Sequence, residues 1–367
     1  MHKQKIIFIV QQLSQPRCIK RIQMFKEYGH ICHVYGFNNK LYNGNLEGID
    51  FDINEQWNID KSLNKVKKIS IYKNKIQHVI NKLNNQDIIY VFGFEIASIV
   101  SFLWKFKFIY EEADVSASRI NNLLLRKTLI YLDKRIIRKS ILTIFTSEGF
   151  QDYLFPDGNP FAKKTIFINN KLHHSFLHRT RPFENFKNIE CIKFGFVGLI
   201  RYPNTIIRFA EVIGKNFPNH EFHFFGDSEG NCLDHINWSK FPNVKFHGKF
   251  KNPEDLTVIY NKIDLNVVCY DPTSFNVRIA EPNKLYESIF FNIPIIVSQG
   301  TFLQKRVEDL KVGYSINSLS NSSIVKFVES LNTFNINQKQ NNSSKVRIDH
   351  LVSNPLVDIQ IINKFLN

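Results

Sequence analysis

Residues 281–298 read EPNKLYESIFFNIPIIVS. A proline is well placed just before a helix start, so Pro282 predicts a helix over Asn283–Phe290. On that helix Lys284 and Glu287 stand three positions apart and share a face. Asn292-Ile293-Pro294 ends the helix and feeds an apolar strand, Pro294–Ser298. A strand without polar alternation suits a parallel sheet covered on both faces. A helix start at the carboxyl end of the preceding strand, with a lysine in its first turn, favours an anion. A carboxylate one turn further in can accept hydrogen bonds from a diol. An exposed helical ion pair shows the same spacing, so spacing alone leaves both readings open.

The rhythm of short apolar runs and longer amphipathic stretches extends outward over the whole chain. In the first half it predicts strands at Lys5–Val10, His33–Tyr35, Asp87–Phe92, Phe106–Tyr110, Leu142–Thr146 and Thr165–Ile168, with helices such as Cys18–Tyr28 and Ile120–Lys139 between them. After the aperiodic stretch HHSFLHRTRPFENFKN the pattern restarts. Strands are expected at Ile192–Val197, His220–Phe225, Val244–His247, Leu265–Tyr270 and Pro294–Ser298, and helices at Asn204–Lys215, Asp255–Asn261 and Asn283–Phe290. The expected fold class is α/β, with two Rossmann-like doubly wound domains facing a cleft. The expected boundaries are 1–172 for the first domain, 173–188 for a linker, 189–345 for the second domain and 346–367 for a docking helix. Ser318–Ser344 is polar and rich in Asn and Gln toward its end, apart from a helical piece Ser323–Leu331.

A chain of 367 residues suits two such domains. Its net charge of +15 points to an anionic partner, which nucleic acid, an anionic membrane or a phosphorylated small molecule would each satisfy. The five cysteines are dispersed, without a CxxC pair or metal-ligand spacing, and read as reduced thiols. The apolar run Ile6–Val10 is too short for a signal peptide, and Ile96–Trp104 is about half the length of a membrane span. The protein is therefore expected in the cytoplasm, at most at the inner face of the membrane.

The segment 281–298 resembles the signature of GT-B glycosyltransferases related to family 4: a proline-asparagine-lysine run, a leucine-aromatic-glutamate helix, a short turn and a proline-led apolar strand. The resemblance implies that Glu287 holds the ribose of a nucleotide-sugar donor, with Asn283 and Lys284 beside its phosphates. FGFVGLIR at 194–201 resembles the first strand and loop of the family's second domain, which makes Gly198 and Arg201 diphosphate candidates. FHFFGD (222–227) and VKFHG (244–248) are similar to the following strand ends, and add Gly226 and Gly248. Retaining members usually carry a glutamate eight positions before the one matching Glu287; here that place is Ile279, with Glu281 nearby but out of register. Retention and inversion both stay open.

The likeness is weaker in the first half. FIYEEAD (108–114) resembles a strand leading into an acidic turn, and makes Asp114, with Glu111 and Glu112 as alternatives, the candidate for a catalytic or acceptor-positioning carboxylate. Ala113 stands where many relatives have histidine, and Ser14–Arg21 lacks their glycine-rich turn. No metal site is expected: His173 and His174 point apart, and no other cofactor is implied beyond the nucleotide sugar itself. The resemblance implies transfer to a saccharide or lipid-linked saccharide acceptor, in the building of a cell-surface polysaccharide or glycolipid.

Two rival readings accompany it. A GT-B relative with other chemistry, such as a nucleotide-sugar epimerase, needs acid/base groups around the sugar. A nucleic-acid-binding protein needs a clustered basic stripe, yet the basic residues are spread along the chain. The helix Ile120–Lys139 mixes basic and apolar residues around its circumference, which fits either peripheral contact with an anionic membrane or a core helix with solvated lysines.

Overall fold

A computed structural model describes residues 4–38, 49–60, 62–102, 106–228, 230 and 232–366. Leu103–Lys105, the end of the apolar segment singled out above, lies outside the described residues. The chain divides into two compact units, one made of residues up to Asn169 together with Pro355 onward, the other of Asn170–Asn354.

The first unit holds strands β1 (Lys5–Val10), β2 (Ile31–Asn38), β3 (Ile53–Asn58), β4 (Ile88–Phe92), β5 (Lys107–Glu112), β6 (Leu142–Phe145) and β7 (Thr165–Phe167). They form one parallel sheet in the order β3-β2-β1-β4-β5-β6-β7. The second unit holds β8 (Lys193–Val197), β9 (Glu221–Phe225), β10 (Val244–Phe246), β11 (Leu265–Val268), β12 (Ile295–Ser298) and β13 (Gly313–Ile316), parallel in the order β10-β9-β8-β11-β12-β13. The apolar runs become the central strands: β4, β11 and β12 are buried at every residue, as strands covered on both faces must be. In each sheet the order reverses once, between β1 and β4 and between β8 and β11. Such switch points leave a crevice at the carboxyl ends of the strands, where open α/β sheets bind ligands.

Two strands escape the apolar pattern. β3 (INEQWN) is a half-exposed edge strand in which mainly Trp57 faces the interior, and β13 (GYSI) is short and partly polar. Gly313 is needed there, because a Cβ would meet the carbonyl oxygen of Ile295 at 2.0 Å.

The segment 173–188, expected as a linker, packs onto the second unit. Phe176 is fully buried in the core of the second unit, edge-on to Phe290 and Phe291 with ring centroids at 5.1 and 5.9 Å. A large apolar side chain so buried contributes roughly 2–3 kcal/mol, enough to hold an aperiodic segment in place. Further along, Phe186 is tied by both its backbone groups to Asn337. Asn337 belongs to the helix Thr333–Lys345, formed by the Asn- and Gln-rich end of the polar stretch. Asn332 caps that helix, and Ile336, Gln340 and Ser343 give it a buried face. The C-terminal stretch is two helices rather than one, Ile348–Leu351 and Pro355–Asn363. The second joins the first unit's core through Ile359 and Ile362, with Leu366 just beyond it, and Asn363 bonds the ring of His30 at 3.0 Å.

The basic helix starts at Leu123 rather than Ile120 and runs to Lys139. It buries Asp133, Ile136 and Ile137, while Leu123–Leu125 and Tyr131 are exposed, Leu124 by 76 %. Among the described residues no helix is long and apolar enough to cross a membrane.

Candidate functional site

Three glycines end the neighbouring strands β8, β9 and β10. Gly198, Gly226 and Gly248 all have positive φ, at 142°, 134° and 73°. Gly226 tolerates no side chain: a Cβ there would meet the carbonyl oxygen of Gly198 at 2.0 Å. The turns are laced to each other, with the Gly198 amide donating to Phe225 and the Gly226 amide to Gly248, each at 2.8 Å. This rigid rim of backbone flanks the β8/β11 switch point, where backbone without side chains permits close approach of a ligand.

The helix Lys284–Phe290 is buried at every residue and brings its charged pair to the same place. The Lys284 stem passes 3.5 Å from where a Cβ on Gly198 would be. Its ammonium donates to Glu287 Oε2 at 2.7 Å, and the Tyr260 hydroxyl donates to the same oxygen at 2.8 Å. Asn283, at the N-cap position, leaves the helix uncapped and donates to Glu287 Oε1 at 2.6 Å. Glu287 is 2 % exposed, so this is no surface ion pair. Beneath it Asn266 donates to Tyr260 Oη at 3.3 Å and to Ser288 Oγ at 2.7 Å. Burial, reinforced by the Glu287 charge, pushes the Tyr260 phenol well above its usual range and keeps it a donor.

The other lip of the switch point follows β11. Tyr270 lies against Tyr202 with ring centroids at 4.8 Å, and its carbonyl accepts from Ser298 Oγ at 2.6 Å. Burial raises the Tyr270 pKa, Tyr202 and Glu287 add to the rise, and the exposed Arg201 pulls the other way. Glu281 is turned elsewhere: buried, it accepts from the Tyr286 hydroxyl and pairs with Arg306 at 2.9 Å. Asp264 accepts from the Lys193 amide at 2.8 Å.

In the first unit, the three acids at the end of β5 have three different surroundings. Glu111 is fully buried and faces the first helix, Pro16–Glu27. It accepts from Arg21 Nε at 2.9 Å and from the Tyr90 hydroxyl, with Arg17 at 3.5 Å. Burial pushes its pKa up, but Arg21 and Arg17 outweigh burial and hold the carboxyl below its usual range. Glu112 points to the opposite face, where burial first and Asp133 second raise its pKa well above the ordinary value. Asp133 accepts from Tyr110 at 3.0 Å and is pushed up to about 8 by burial and then by Glu95. Asp114 alone is exposed, paired with Arg119. It is the acid of the three that a second molecule can reach without rearrangement of the core.

The raised pair carries a pH signature. An acid with a raised native pKa binds its proton more tightly folded than unfolded, so its stabilising contribution is complete below the unfolded value and is lost as pH rises through the native one. For Asp133 that window runs from 3.8 to about 8. Asp133→Asn should therefore flatten the decline of melting temperature between about pH 5 and 8. Melts across that range test this, and parallel profiles for the two proteins would refute it.

Arg17, Arg21, Tyr90, Asp133, Tyr260 and Asn266 were not singled out in the sequence. Arg17 and Arg21 did carry a signal: they are four apart at the start of a helix that follows the first strand. Tyr90, Tyr260 and Asn266 lie in apolar runs and Asp133 in the basic helix, and only their tertiary partners give them a role.

The sequence matches no protein-family model, and no curated protein matches it. Solved structures do. Sucrose-phosphate synthase from Thermosynechococcus elongatus superposes with a TM-score of 0.70 at 14 % identity, covering 99 % of this chain and 98 % of that one. The Anabaena protein HepE, solved in complex with UDP and glucose, superposes with a TM-score of 0.71 at 15 % identity, covering 100 % and 99 %. A glycosyltransferase from Rickettsia africae gives 0.66 at 13 % identity, covering 100 % of both chains. The likeness extends over both units, and the chain has the two-unit Rossmann-like fold of the GT-B glycosyltransferases.

Proposed function

We propose that the chain is a glycosyltransferase that moves a sugar from a nucleotide-sugar donor to a saccharide or lipid-linked saccharide acceptor. The observation that carries this reading is the convergence of Gly198, Gly226, Lys284 and Glu287 at the carboxyl edge of the second sheet, beside its switch point. HepE has been solved with UDP-glucose, and a trehalose-6-phosphate protein of E. coli with UDP-2-fluoro glucose, both on this fold.

In the proposed reaction the bond from the sugar's anomeric carbon to the diphosphate breaks, and a bond from that carbon to an acceptor oxygen forms. The diphosphate leaves with the electron pair, and the acceptor hydroxyl loses its proton. Lys284 and Arg201 are the groups proposed to offset the growing negative charge, and such fixed charges act strongest where water is excluded. Lys284 and Asn283 both cover the Glu287 carboxylate from the first turn of the helix. A donor that draws Lys284 toward its phosphates uncovers Glu287 for the ribose hydroxyls. Asp114 is the proposed acceptor-side carboxylate.

The test is thermal stabilisation by UDP-, GDP-, dTDP- and CMP-sugars. At a ligand concentration near 100 times Kd, binding to the folded state adds about 2.7 kcal/mol, which shifts the melting temperature by several degrees. One nucleotide class is expected to produce this shift. A flat response to all four would overturn the donor-site assignment.

A further inference from the structure

At the opposite edge of the second sheet, below the amino ends of β8, β11 and β12, lies a cavity of about 590 Å³. That is the size of a pocket for a small organic ligand. It exists because the segment 182–188, held by Phe186, bridges a gap between the chain around Asn261–Asp264 and the helix end at Phe291–Ile293.

The wall is rigid. Tyr260 and Phe291 stack with ring centroids at 4.7 Å and planes 7° apart, and the Tyr260 hydroxyl is anchored on Glu287. The rim is of another kind: Phe183 is 48 % exposed, and the amides of Asn185 and Asn261 are exposed beside it. The lining carries two acids, Glu184 and Asp264, against one lysine, Lys187. Glu184 lies within 4.0 Å of Lys187, and Asp264 has one carboxylate oxygen on the Lys193 amide. In a chain of net charge +15, a site for an anion would be expected to gather basic groups, and this lining supplies one lysine already opposed by a glutamate.

We propose that this cavity binds a neutral saccharide. Sugar hydroxyls are both donors and acceptors: they can donate to Asp264 and to amide oxygens, and accept from amide nitrogens. The apolar C–H face of a pyranose suits the exposed ring of Phe183. An anion would face two carboxylates with one lysine already paired between them, and a purely apolar ligand would strip the amides of water without replacing it.

The site is separable from the proposed donor site, since it is measured without nucleotide. Saturation-transfer NMR with maltotriose, lactose and N-acetylchitobiose at millimolar concentration is the assay. Signal transfer is expected for at least one of them, weakened at least about threefold in Phe183→Ala, the loss of one aromatic contact. Asn261→Ala should weaken it as well. Both side chains are exposed, so melting temperatures close to that of the unaltered protein confirm intact folding. Absence of transfer with all three saccharides, or transfer unchanged in both variants, would overturn the proposal, whatever the nucleotide panel shows.

Discussion

Glu287→Ala should lower nucleotide-sugar affinity by at least about tenfold, because hydrogen bonds from a ribose diol to a carboxylate are worth about 1.5–3 kcal/mol. The substitution has a second consequence. Lys284 is almost as buried as Glu287, and without the carboxylate its ammonium keeps no opposite charge within reach of the bonds described above. Removing one partner of such a pair destabilises by about 3–5 kcal/mol. The variant is thus expected to melt earlier and, at the same ligand concentration, to gain at most about half of the nucleotide stabilisation, about 1.4 against 2.7 kcal/mol. Glu287→Gln separates the two effects. Its amide oxygen still accepts from Tyr260, the fold is less disturbed, and the charge on the ribose is lost. Calorimetric titration of both variants, well below their melting points, is the measurement. Unchanged affinity in folded Glu287→Ala would remove Glu287 from the donor site.

Arg181→Ala should destabilise the second unit by roughly 3 kcal/mol or more. The Arg181 guanidinium donates to the carbonyls of Ile289 and Phe290, at the end of the helix that carries Glu287. It also donates to Ser343 and Val346 at 2.7 Å, to Ser344 at 3.2 Å, and to the side chain of Asn292 at 3.1 Å. The last carbonyls of a helix have no partner within it, and a cation there meets the negative end of the helix dipole. One side chain thus closes two helix ends at once. Burial lowers the Arg181 pKa, the usual desolvation effect on a cation, but guanidinium stays charged at neutral pH. Lysine cannot replace it, since a single ammonium lacks the fork that spans both helices. For a unit of this size 3 kcal/mol corresponds to a fall of about 6–12 °C in melting temperature. Hydrogen exchange should quicken in 284–292 and 333–346 before it does elsewhere. A change below about 1 kcal/mol would show that water satisfies these carbonyls equally well.

Both predictions concern residues that the sequence treats very differently. Lys284 and Glu287 stand out in it, through their place on a helix start between a proline and a proline-led strand. Arg181 does not: it sits in HRTRPFENF, which has no period and reads as a connector. Its importance comes from carbonyls up to 165 positions away. The acids at the end of β5 show the same division. Their number and their place at a strand end are evident in FIYEEAD, but the residues alone do not say which is ionised. Alternation along a strand sends Glu111 to two arginines and Glu112 to another acid. Opposite pKa shifts follow from that one-residue step.

What local order governs, the chain states by itself. Apolar runs long enough for one strand and no longer, separated by amphipathic helices, can bury themselves only as parallel sheets covered on both faces. The two α/β units and the strands at their centres follow from that. β3 and β13 do not, because edge strands need little apolar surface. Glycine at Gly198, Gly226 and Gly248 marks turns, whereas the 2.0 Å approach that forbids any other residue at Gly226 exists only once β8 and β9 are paired. The tertiary structure alone made a helix of the polar stretch 333–345 and packed 173–188 onto the second core. It also set Tyr260 and Asn266 beneath Glu287. In each case the stabilising partner is distant in sequence, and a hydrogen bond or a buried ring leaves no periodic trace in the residues that make it.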